Sequence, residues 1–346
     1  MRPLFLAAVA ALALAGSPAV AQTVLTPHIG GRVVVQPDGV YEFGWPGVYF
    51  EGRFTGRSVE VTIDPQLEVL AVSIDGRRRN EVAMPGVAHM TYDDLGPGEH
   101  VVRVDKLTES QTGSARFLGF SVGRGGQALP PQPRARRIEF IGDSHTVGYG
   151  VRSTKHDCTQ AEIHDLTDTS LAFGPILARR LDADYRIVAV SGRGVVRNYG
   201  GFAPGEPLLA LYPRLIPGEP EPRVDPADPW KPDLIVIGLG TNDFSTPLQP
   251  GEAWSSDAAL HADYRRAYAG FIRDLARRQP QARFLLLAGD SFAEDVAAVT
   301  ATVGPNLATA VRITGFDKGA CDYHPSIADQ RMMADRLEPA ARAVFH

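Results

Sequence analysis

The chain has 346 residues, of which 44% are hydrophobic and 22% charged, and its formal net charge is -5. This length is enough for two domains, each with its own hydrophobic core. The charge is mildly acidic and mixed in sign, without the basic surface that phosphate backbones require, so we do not expect nucleic acid as a partner.

The N-terminus has the pattern of a secretory leader. Arg2 precedes an apolar run from Leu4 to Ala15, and Ala19-Val20-Ala21 supplies the small residues of a signal-peptidase site. The run is shorter than a membrane-spanning helix requires, and no second apolar segment follows it. We predict a signal peptide over residues 1–21 and export to the periplasm or the extracellular space, with no membrane anchor after cleavage.

Residues 28–123 alternate between apolar and polar positions with a period of two. Val33 and Val35, and then Val59, Val61 and Ile63, lie on alternate positions of short runs. Turn signals rich in Gly, Pro and Asp end these runs. Eight or nine short strands at this spacing predict an antiparallel β-sandwich, with a jelly roll as the expected topology.

A Gly- and Pro-rich stretch follows, and we predict a linker over residues 124–136. Residues 137–346 then alternate between continuous apolar runs and helix-length amphipathic segments. The expected strands are Arg137–Ile141, Tyr185–Val190, Leu234–Leu239 and Phe284–Leu287, and the clearest helices are Leu260–Leu275 and Ser326–Leu337. This alternation predicts an α/β/α domain with a parallel sheet covered on both faces. The proline-rich segment Pro204–Pro232 is expected to be a long loop over the edge formed by the carboxyl ends of the strands.

Four segments are placed where such a sheet carries its ligand site, at the carboxyl ends of strands or before the final helix. They are Gly142–Thr146, Ser191–Gly194, Gly240–Asp243 and Cys321–Pro325. If the strands are parallel, these segments meet at one edge.

The residue types in these segments are those that acyl transfer needs. Ser144 is the candidate nucleophile, His324 its general base, and Asp322 the group that orients the histidine. The N–H groups of Ser144 and Gly194 and the side-chain amide of Asn242 are candidate donors for the oxyanion. On its own, Ser144 could simply cap a helix and Asn242 could be a turn residue.

The four segments resemble the four blocks of the SGNH (GDSL-type) hydrolase superfamily. The resemblance implies the same roles for Ser144, Asn242 and His324, and assigns Gly194 to the oxyanion hole with Gly192 as the second choice. In the superfamily the acid lies three residues before the histidine, where this chain has Cys321. The resemblance therefore leaves open whether Asp322 or a backbone carbonyl orients His324.

The amino-acid sequence of these and neighbouring segments is most similar to that of the second family of carbohydrate esterases. The matching segments are Ile141–Gly150, Ser191–Tyr199, Trp230–Asp233, Leu239–Asp243 and Cys321–Pro325. Members of that family place a β-sandwich before the hydrolase domain and remove acetyl groups from polysaccharides or small sugars without a cofactor. The resemblance implies acetylated carbohydrate as the substrate.

Several other side chains could contact such a substrate or simply pack. Arg197, Tyr199, Trp230 and Trp254 are candidate substrate-binding residues, although Arg197 could be solvated and either tryptophan could lie in the core. His145 is expected to be a packing residue, and Asp243 to brace its loop. His156, His164 and His261 do not have the spacing of metal ligands with carboxylates or cysteines, so we predict no metal site.

Cys158 and Cys321 are the two cysteines of the chain. In an oxidising compartment such a pair predicts a disulfide, although two separate buried thiols are the alternative. Cys158 follows the nucleophile segment and Cys321 precedes His324, so both should lie at the same end of the sheet. We predict that a bond between them holds the histidine loop.

The sequence as a whole therefore predicts an exported serine esterase that removes acetyl groups from carbohydrate, in the manner of an acetylxylan esterase. One alternative is a general SGNH esterase or lipase that acts on other acyl or aryl esters. Another is a carbohydrate-binding protein with an inactive hydrolase domain, which the presence of Ser144, Asn242 and His324 argues against.

Overall fold

The structure, a computed structural model, describes residues 23–111 and 113–345. The predicted leader over residues 1–21 lies outside the described residues. Within these ranges the N-terminal part consists of strands β1 (Thr23–Val24), β2 (His28–Gly30), β3 (Val34–Val35), β4 (Tyr41–Phe43), β5 (Tyr49–Thr55), β6 (Val59–Asp64), β7 (Leu70–Ile74), β8 (Arg77–Val82), β9 (Ala88–Tyr92), β10 (Glu99–Lys106), β11 (Ala115–Val122) and β12 (Gln127–Leu129).

These strands form two antiparallel sheets that pack face to face, which confirms the predicted sandwich. One sheet has the order β3-β4-β11-β6-β9, with β1 beside β11, and the other has the order β12-β5-β10-β7-β8, with β2 beside β5. The inward-facing side chains of alternate positions make the core, in which the Phe50 and Phe117 rings stack 4.1 Å apart. We refer to this part as the sandwich.

The sandwich extends further along the chain than the sequence pattern indicated. β12 lies inside the segment predicted as a linker and pairs with β5, from Gln127 opposite Thr55 to Leu129 opposite Arg53. Strands of two or three residues such as β12 are too short to show a period of two, so the pattern missed them. Residues 130–135 connect β12 to the next strand.

The C-terminal part alternates strands and helices, as predicted. Its strands are β13 (Arg136–Gly142), β14 (Ala183–Ala189), β15 (Leu234–Gly238), β16 (Arg283–Ala288) and β17 (Ala308–Arg312). Its α-helices are α1 (Ser144–Val147), α2 (Gln160–Leu166), α3 (Phe173–Arg180), α4 (Leu208–Leu211), α5 (Thr241–Phe244), α6 (Asp257–Arg278), α7 (Ala293–Val303) and α8 (Ile327–Val344). No helix within residues 23–111 and 113–345 is long and apolar enough to cross a membrane.

The five strands form one parallel sheet with the order β14-β13-β15-β16-β17. β13 to β16 are buried on both faces, which is why they read as continuous apolar runs. β17 lies at the sheet edge with three of its five residues exposed, so it carries no such run and the sequence did not indicate it. The order reverses between β14 and β15, on either side of β13, and ligands bind at such a switch point.

The segment predicted as a loop over the sheet edge contains α4 and instead packs against the sandwich. Trp45 donates a hydrogen bond from Nε1 to the Arg214 carbonyl, at 3.2 Å, and Tyr212 donates to Glu139 of β13, at 3.1 Å. Leu208 and Leu211 are buried. Most of this segment therefore fills the space between the two domains.

Candidate active site

The four predicted segments meet at the carboxyl edge of the parallel sheet, around the end of β13. The Asp143 side chain caps α1 by accepting a hydrogen bond from His145 N–H, at 3.0 Å, so Ser144 is the first residue of that helix. Ser144 is 6% exposed. A serine at this strand-to-helix junction presents its hydroxyl above the sheet, and its own N–H is free of helical hydrogen bonds.

Ser144 and His324 lie within hydrogen-bond distance, although 180 residues separate them. His324 Nε2 is 2.9 Å from Ser144 Oγ, and His324 Nδ1 is 2.9 Å from the carbonyl oxygen of Cys321. With Nδ1–H donating to that carbonyl, Nε2 is unprotonated and can accept the serine proton. Burial lowers the pKa of His324 below its ordinary value, so the imidazole is neutral near neutral pH.

Asp322 does not contact the second ring nitrogen of His324, contrary to the prediction that it would orient the base. Its carboxylate accepts a hydrogen bond from the Tyr149 hydroxyl, at 2.8 Å. The Asp322 backbone is left-handed, with φ 51°, which turns the side chain away while the Cys321 carbonyl faces the imidazole. The carbonyl therefore takes the position expected for the acid.

The predicted disulfide between Cys158 and Cys321 is present, and the two Cα atoms are 5.5 Å apart. The same loop holds the histidine segment a second time, because Asp322 N–H donates to the His156 carbonyl at 2.8 Å. Gly150 packs directly on the cystine, where any Cβ would lie 2.6 Å from the Cβ of Cys321. The residue that orients His324 is thus covalently fixed, as expected of a disulfide that holds the histidine loop.

The structure separates the two glycines that were candidates for the oxyanion hole. Gly194 is buried, and its N–H donates to Asn198 Oδ1 at 3.2 Å, so it is not available to a substrate. Gly192 is half-buried, and its N–H, like that of Ser144, forms no hydrogen bond to the described parts of the chain. The prediction of Gly194 is therefore wrong in position by two residues, and Gly192 is the better candidate.

Asn242 lies beside these donors at the start of α5. Its side-chain nitrogen donates to the Arg193 carbonyl at 2.9 Å and, through a longer bond, to Asp143 Oδ2 at 3.2 Å. Burial raises the pKa of Asp143 to about 7. The longer bond is the one that a developing oxyanion could replace.

Asp243 braces the loop, as predicted. Its carboxylate accepts hydrogen bonds from the N–H groups of Val195, Val196 and Arg197, at 2.9 to 3.1 Å. This arrangement explains why Gly194 must be glycine, since a Cβ there would lie 2.4 Å from Asp243 Oδ2. Asp243 and Gly194 therefore shape the loop that carries Gly192.

The structure also shows how His145 and α8 hold the nucleophile. The His145 ring packs between Phe316 and His324, each 5.8 Å away between centroids, and burial lowers its pKa to about 3. Gln330 of α8 donates to the His145 carbonyl and accepts from Phe173 N–H. His145 is thus a packing residue, as expected, and α8 contacts both the residue that follows the nucleophile and the first residue of α3.

Two of the four predicted substrate-binding residues are not placed to contact a substrate. Arg197 is 2% exposed, and its guanidinium is held by Glu252 and by backbone carbonyls of residues 243–247. Trp230 precedes β15, at the opposite edge of the sheet from Ser144, and lies 4.6 Å from the Arg186 guanidinium. Both are structural.

Aromatic side chains that face solvent near the site include one predicted residue and two that sequence reasoning missed. Tyr199 is 55% exposed, Phe202 42% and Tyr323 63%. Phe202 lies against Gly192, and Tyr323 stacks on His156, with ring centroids 4.0 Å apart. Tyr323 could have been found from its position next to His324.

Trp254 lines a cavity of about 580 Å³ beside the loop that carries Gly192, together with Phe202.

Within residues 23–111 and 113–345, His, Cys, Asp and Glu form no group of three that could hold a metal ion.

Comparison with known proteins gives the same two-part organisation. Residues 29–132 match the family model of the carbohydrate esterase 2 N-terminal domain, and residues 140–341 match the model of the GDSL-like lipase/acylhydrolase family. The chain is 40% identical over 321 residues to an acetylxylan esterase / glucomannan deacetylase of Cellvibrio japonicus, covering 90% of this chain and 89% of that protein. It is 30% identical over 313 residues to the cellulase/esterase CelE of Acetivibrio thermocellus, covering 85% of this chain and 36% of that protein.

Solved structures agree with these relatives. A carbohydrate esterase described for the divergent catalytic and non-catalytic binding functions of its active site superposes with a TM-score of 0.87 at 38% identity, over 93% of this chain and 98% of that one. A family two carbohydrate esterase from Clostridium thermocellum in complex with cellohexaose gives 0.80 at 28% identity, over 92% of this chain and 98% of that one. The chain thus belongs to the GDSL-like lipase/acylhydrolase family and, within it, to the family 2 carbohydrate esterases, which are carboxylic ester hydrolases.

Proposed function

We propose that this protein is an exported esterase that removes acetyl groups from polysaccharide or oligosaccharide, with Ser144 as the nucleophile and His324 as the base. The observation that carries the proposal is the 2.9 Å distance between Ser144 Oγ and His324 Nε2, beside two N–H groups that have no hydrogen-bond partner among the described residues. A hydroxyl, a neutral imidazole and free backbone donors are the groups that ester hydrolysis requires.

In the first half of the reaction, Ser144 Oγ attacks the acetyl carbonyl carbon while its proton passes to His324 Nε2. The Cys321 carbonyl stabilises the imidazolium by accepting from Nδ1–H. The oxyanion accepts hydrogen bonds from the N–H groups of Ser144 and Gly192, and the Asn242 amide supplies a third donor. The tetrahedral intermediate then breaks the bond to the sugar oxygen, which takes the proton from Nε2 and leaves as a hydroxyl.

The second half returns the enzyme to its starting state. A water molecule gives a proton to His324 Nε2 and attacks the acetyl carbon of the Ser144 ester. The second tetrahedral intermediate breaks the bond to Oγ, which recovers the proton from Nε2, and acetic acid leaves and ionises to acetate by releasing its proton to water. The imidazole carries one proton in each half of the reaction, and no cofactor takes part in this scheme.

Carbohydrate as the substrate is supported by the exposed aromatic rings and by the relatives. Sugar rings stack on aromatic faces, and Tyr199, Phe202 and Tyr323 present such faces around the site. The Cellvibrio japonicus relative is named for acetylxylan and glucomannan, and it matches 90% of this chain. These features favour an acetylated polysaccharide over a lipid ester.

Export is supported by the sequence of residues 1–21 and by the disulfide. A bond between Cys158 and Cys321 persists in an oxidising compartment such as the periplasm or the extracellular space. We propose that the mature chain begins near Gln22.

The proposal is tested by measuring acetate release from acetylated xylan and glucomannan, together with hydrolysis of p-nitrophenyl acetate and p-nitrophenyl palmitate. We expect activity on the acetylated polysaccharides and on the aryl acetate, and at least about a hundredfold lower kcat/KM on the long-chain ester. Ser144→Ala should lower kcat by about 10⁴ or more. A preference for the palmitate, or an active Ser144→Ala variant, would contradict the proposal.

A further inference from the structure

The sandwich contributes a segment to the active-site edge of the other domain. After β10 the chain continues through Leu107 to Gln111 and lies against the end of β14. Thr169, in the parallel-sheet domain, donates both its N–H and its hydroxyl to the Leu107 carbonyl, at 3.0 Å each. The segment from Glu109 to Gln111 is therefore docked onto the strand that leads to Gly192.

Three consecutive residues of this segment hold the chain just before Gly192. Ser110 Oγ donates to the Ala189 carbonyl at 2.5 Å, and Ser191 Oγ donates to Glu109 Oε1 at 2.6 Å. Gln111 Nε2 donates to the Ser191 carbonyl at 3.1 Å. These three hydrogen bonds therefore join the segment to Ala189, the last residue of β14, and to Ser191, the residue just before Gly192.

The last of these contacts bears directly on the proposed oxyanion donor. Ser191 and Gly192 are the central residues of a turn closed by Arg193 N–H and the Val190 carbonyl, and Gly192 has φ 80°. The Ser191 carbonyl and the Gly192 N–H belong to one planar trans peptide group, so they point in opposite directions. Holding the carbonyl therefore fixes the direction of the N–H, which would reverse if the turn changed type.

The segment itself is anchored by a buried ion pair. Lys106 is fully buried, and its Nζ lies 2.8 Å from Glu68 Oε2 while donating to the Glu109 carbonyl at 2.6 Å. Thr108 donates its hydroxyl to the same Glu68 oxygen. Because this network is buried within the sandwich, the segment is held in one conformation.

Glu109 has features that a purely structural contact does not need. It is 8% exposed, and its Oε2 is buried without a hydrogen-bond partner among the described residues. Burial raises its pKa to about 7, against the lowering effect of the Ser191 hydrogen bond. Keeping a carboxyl group here costs free energy, so its position beside Ser191 indicates a role at the site.

We propose that Glu109 and Gln111 of the sandwich are positioning residues for ester hydrolysis, because they hold the Ser191–Gly192 peptide group with its N–H directed at the oxyanion. This inference rests on the proposed function and extends it: the N-terminal domain completes the oxyanion hole without touching the substrate. The sandwich and the hydrolase domain then act as one catalytic unit.

The test compares kcat and KM on p-nitrophenyl acetate for the full chain and its variants. Gln111 is exposed, so Gln111→Ala should fold normally. We expect it to lower kcat about tenfold with KM within about twofold, since a lost or misdirected oxyanion donor raises only the barrier. Glu109→Ala should do the same, and Glu109→Gln, whose amide oxygen can still accept from Ser191, should stay within about threefold of the wild type.

Tyr49→Phe is the matched control, because it removes a different hydrogen bond between the two domains. The Tyr49 hydroxyl donates to Asp184 at 2.8 Å, at the start of β14 and thus at the opposite end of that strand from Gly192. This variant should leave kcat within about twofold. The double variant Glu109→Ala/Gln111→Ala should lose less than the product of the single losses, because both act on one peptide group.

The outcomes separate this inference from the proposed function. If the wild type hydrolyses the ester and Gln111→Ala keeps kcat within threefold, the positioning role is wrong while the esterase stands. A rise in KM alone would also overturn it, since it would mean that the segment binds substrate. A wild type without esterase activity would contradict the proposed function itself. Should Glu109→Ala fail to fold, Gln111→Ala still decides the question.

Discussion

His324 Nδ1 lies 2.9 Å from the backbone carbonyl of Cys321, three residues before it, while the neighbouring Asp322 carboxylate is bonded to Tyr149. The proposed base is therefore oriented by a group that no side-chain substitution can remove. We expect Asp322→Asn to lower kcat on p-nitrophenyl acetate by less than about tenfold. Loss of a true triad acid costs about 10⁴, so a drop of that size would restore Asp322 to the triad.

The disulfide should affect both stability and catalysis. Cys158 and Cys321 are 163 residues apart, and the chain-entropy model assigns such a cross-link roughly 5 kcal/mol, as an upper figure. Cys158→Ala/Cys321→Ala should lower the free energy of unfolding in urea by about 2–5 kcal/mol and kcat by about tenfold, because the Cys321 carbonyl loses its covalent anchor. An unchanged kcat in the folded double variant would show that the remaining contacts suffice.

The acid limb of the pH–rate profile should report His324. Only the neutral imidazole accepts the Ser144 proton, so kcat/KM should rise with pH through the pKa of His324. Burial lowers that pKa, and the midpoint should therefore fall below 6.5. Burial raises the pKa of Asp143 to about 7, so its titration falls in the same pH range. The Asp143→Asn variant removes any transition of the pH–rate profile that belongs to Asp143 and leaves the one that belongs to His324. A midpoint above 6.5 in that variant would contradict the prediction.

The two glycines of the second block should respond differently to alanine. At Gly194 a Cβ would lie 2.1 Å from the Arg197 carbonyl and 2.4 Å from Asp243, so Gly194→Ala should lower the melting temperature strongly. At Gly192 the nearest atom is in the Phe202 side chain, at 3.1 Å, so Gly192→Ala should fold with about 1–3 kcal/mol of backbone strain. Its main effect should be a lower kcat. Thermal unfolding and kinetics together distinguish the two.

The exposed aromatic residues should matter for polymers more than for small esters. Tyr323→Ala and Phe202→Ala should raise KM for acetylated xylan about fivefold, which corresponds to about 1 kcal/mol of lost stacking. The same variants should leave KM for p-nitrophenyl acetate within about twofold. Trp230→Phe is the control, since Trp230 lies at the opposite edge of the sheet and should change neither value.

The sequence predicted those features that depend on local pattern and chain order. Continuous apolar runs identified β13 to β16, and the placement of Ser144, Asn242 and His324 at strand ends or before α8 brought them to one edge. It ranked Gly194 ahead of Gly192 as the oxyanion donor, although both glycines fit the same block. The choice depends on the Asn198 contact and on burial, which only the folded loop determines.

Two other features depend on backbone conformation and long-range packing. The left-handed conformation at Asp322 turns its carboxylate away from the histidine, and nothing in the residue order marks that turn. Contacts between Glu109–Gln111 and Ala189–Ser191 join segments about 80 residues apart in different domains. No periodicity within either segment indicates such docking.

Gln330, in the first turn of α8 and six residues after His324, donates a hydrogen bond to the carbonyl of His145, the residue next to the nucleophile. α8 begins three residues after His324 and is tied through Gln330 to the chain beside Ser144, so the spacing of the two partners of the proton transfer is already set before any substrate arrives. No binding energy of the substrate is then needed to bring the hydroxyl and the imidazole together. A small acetyl ester that makes few contacts can therefore react at this preformed site.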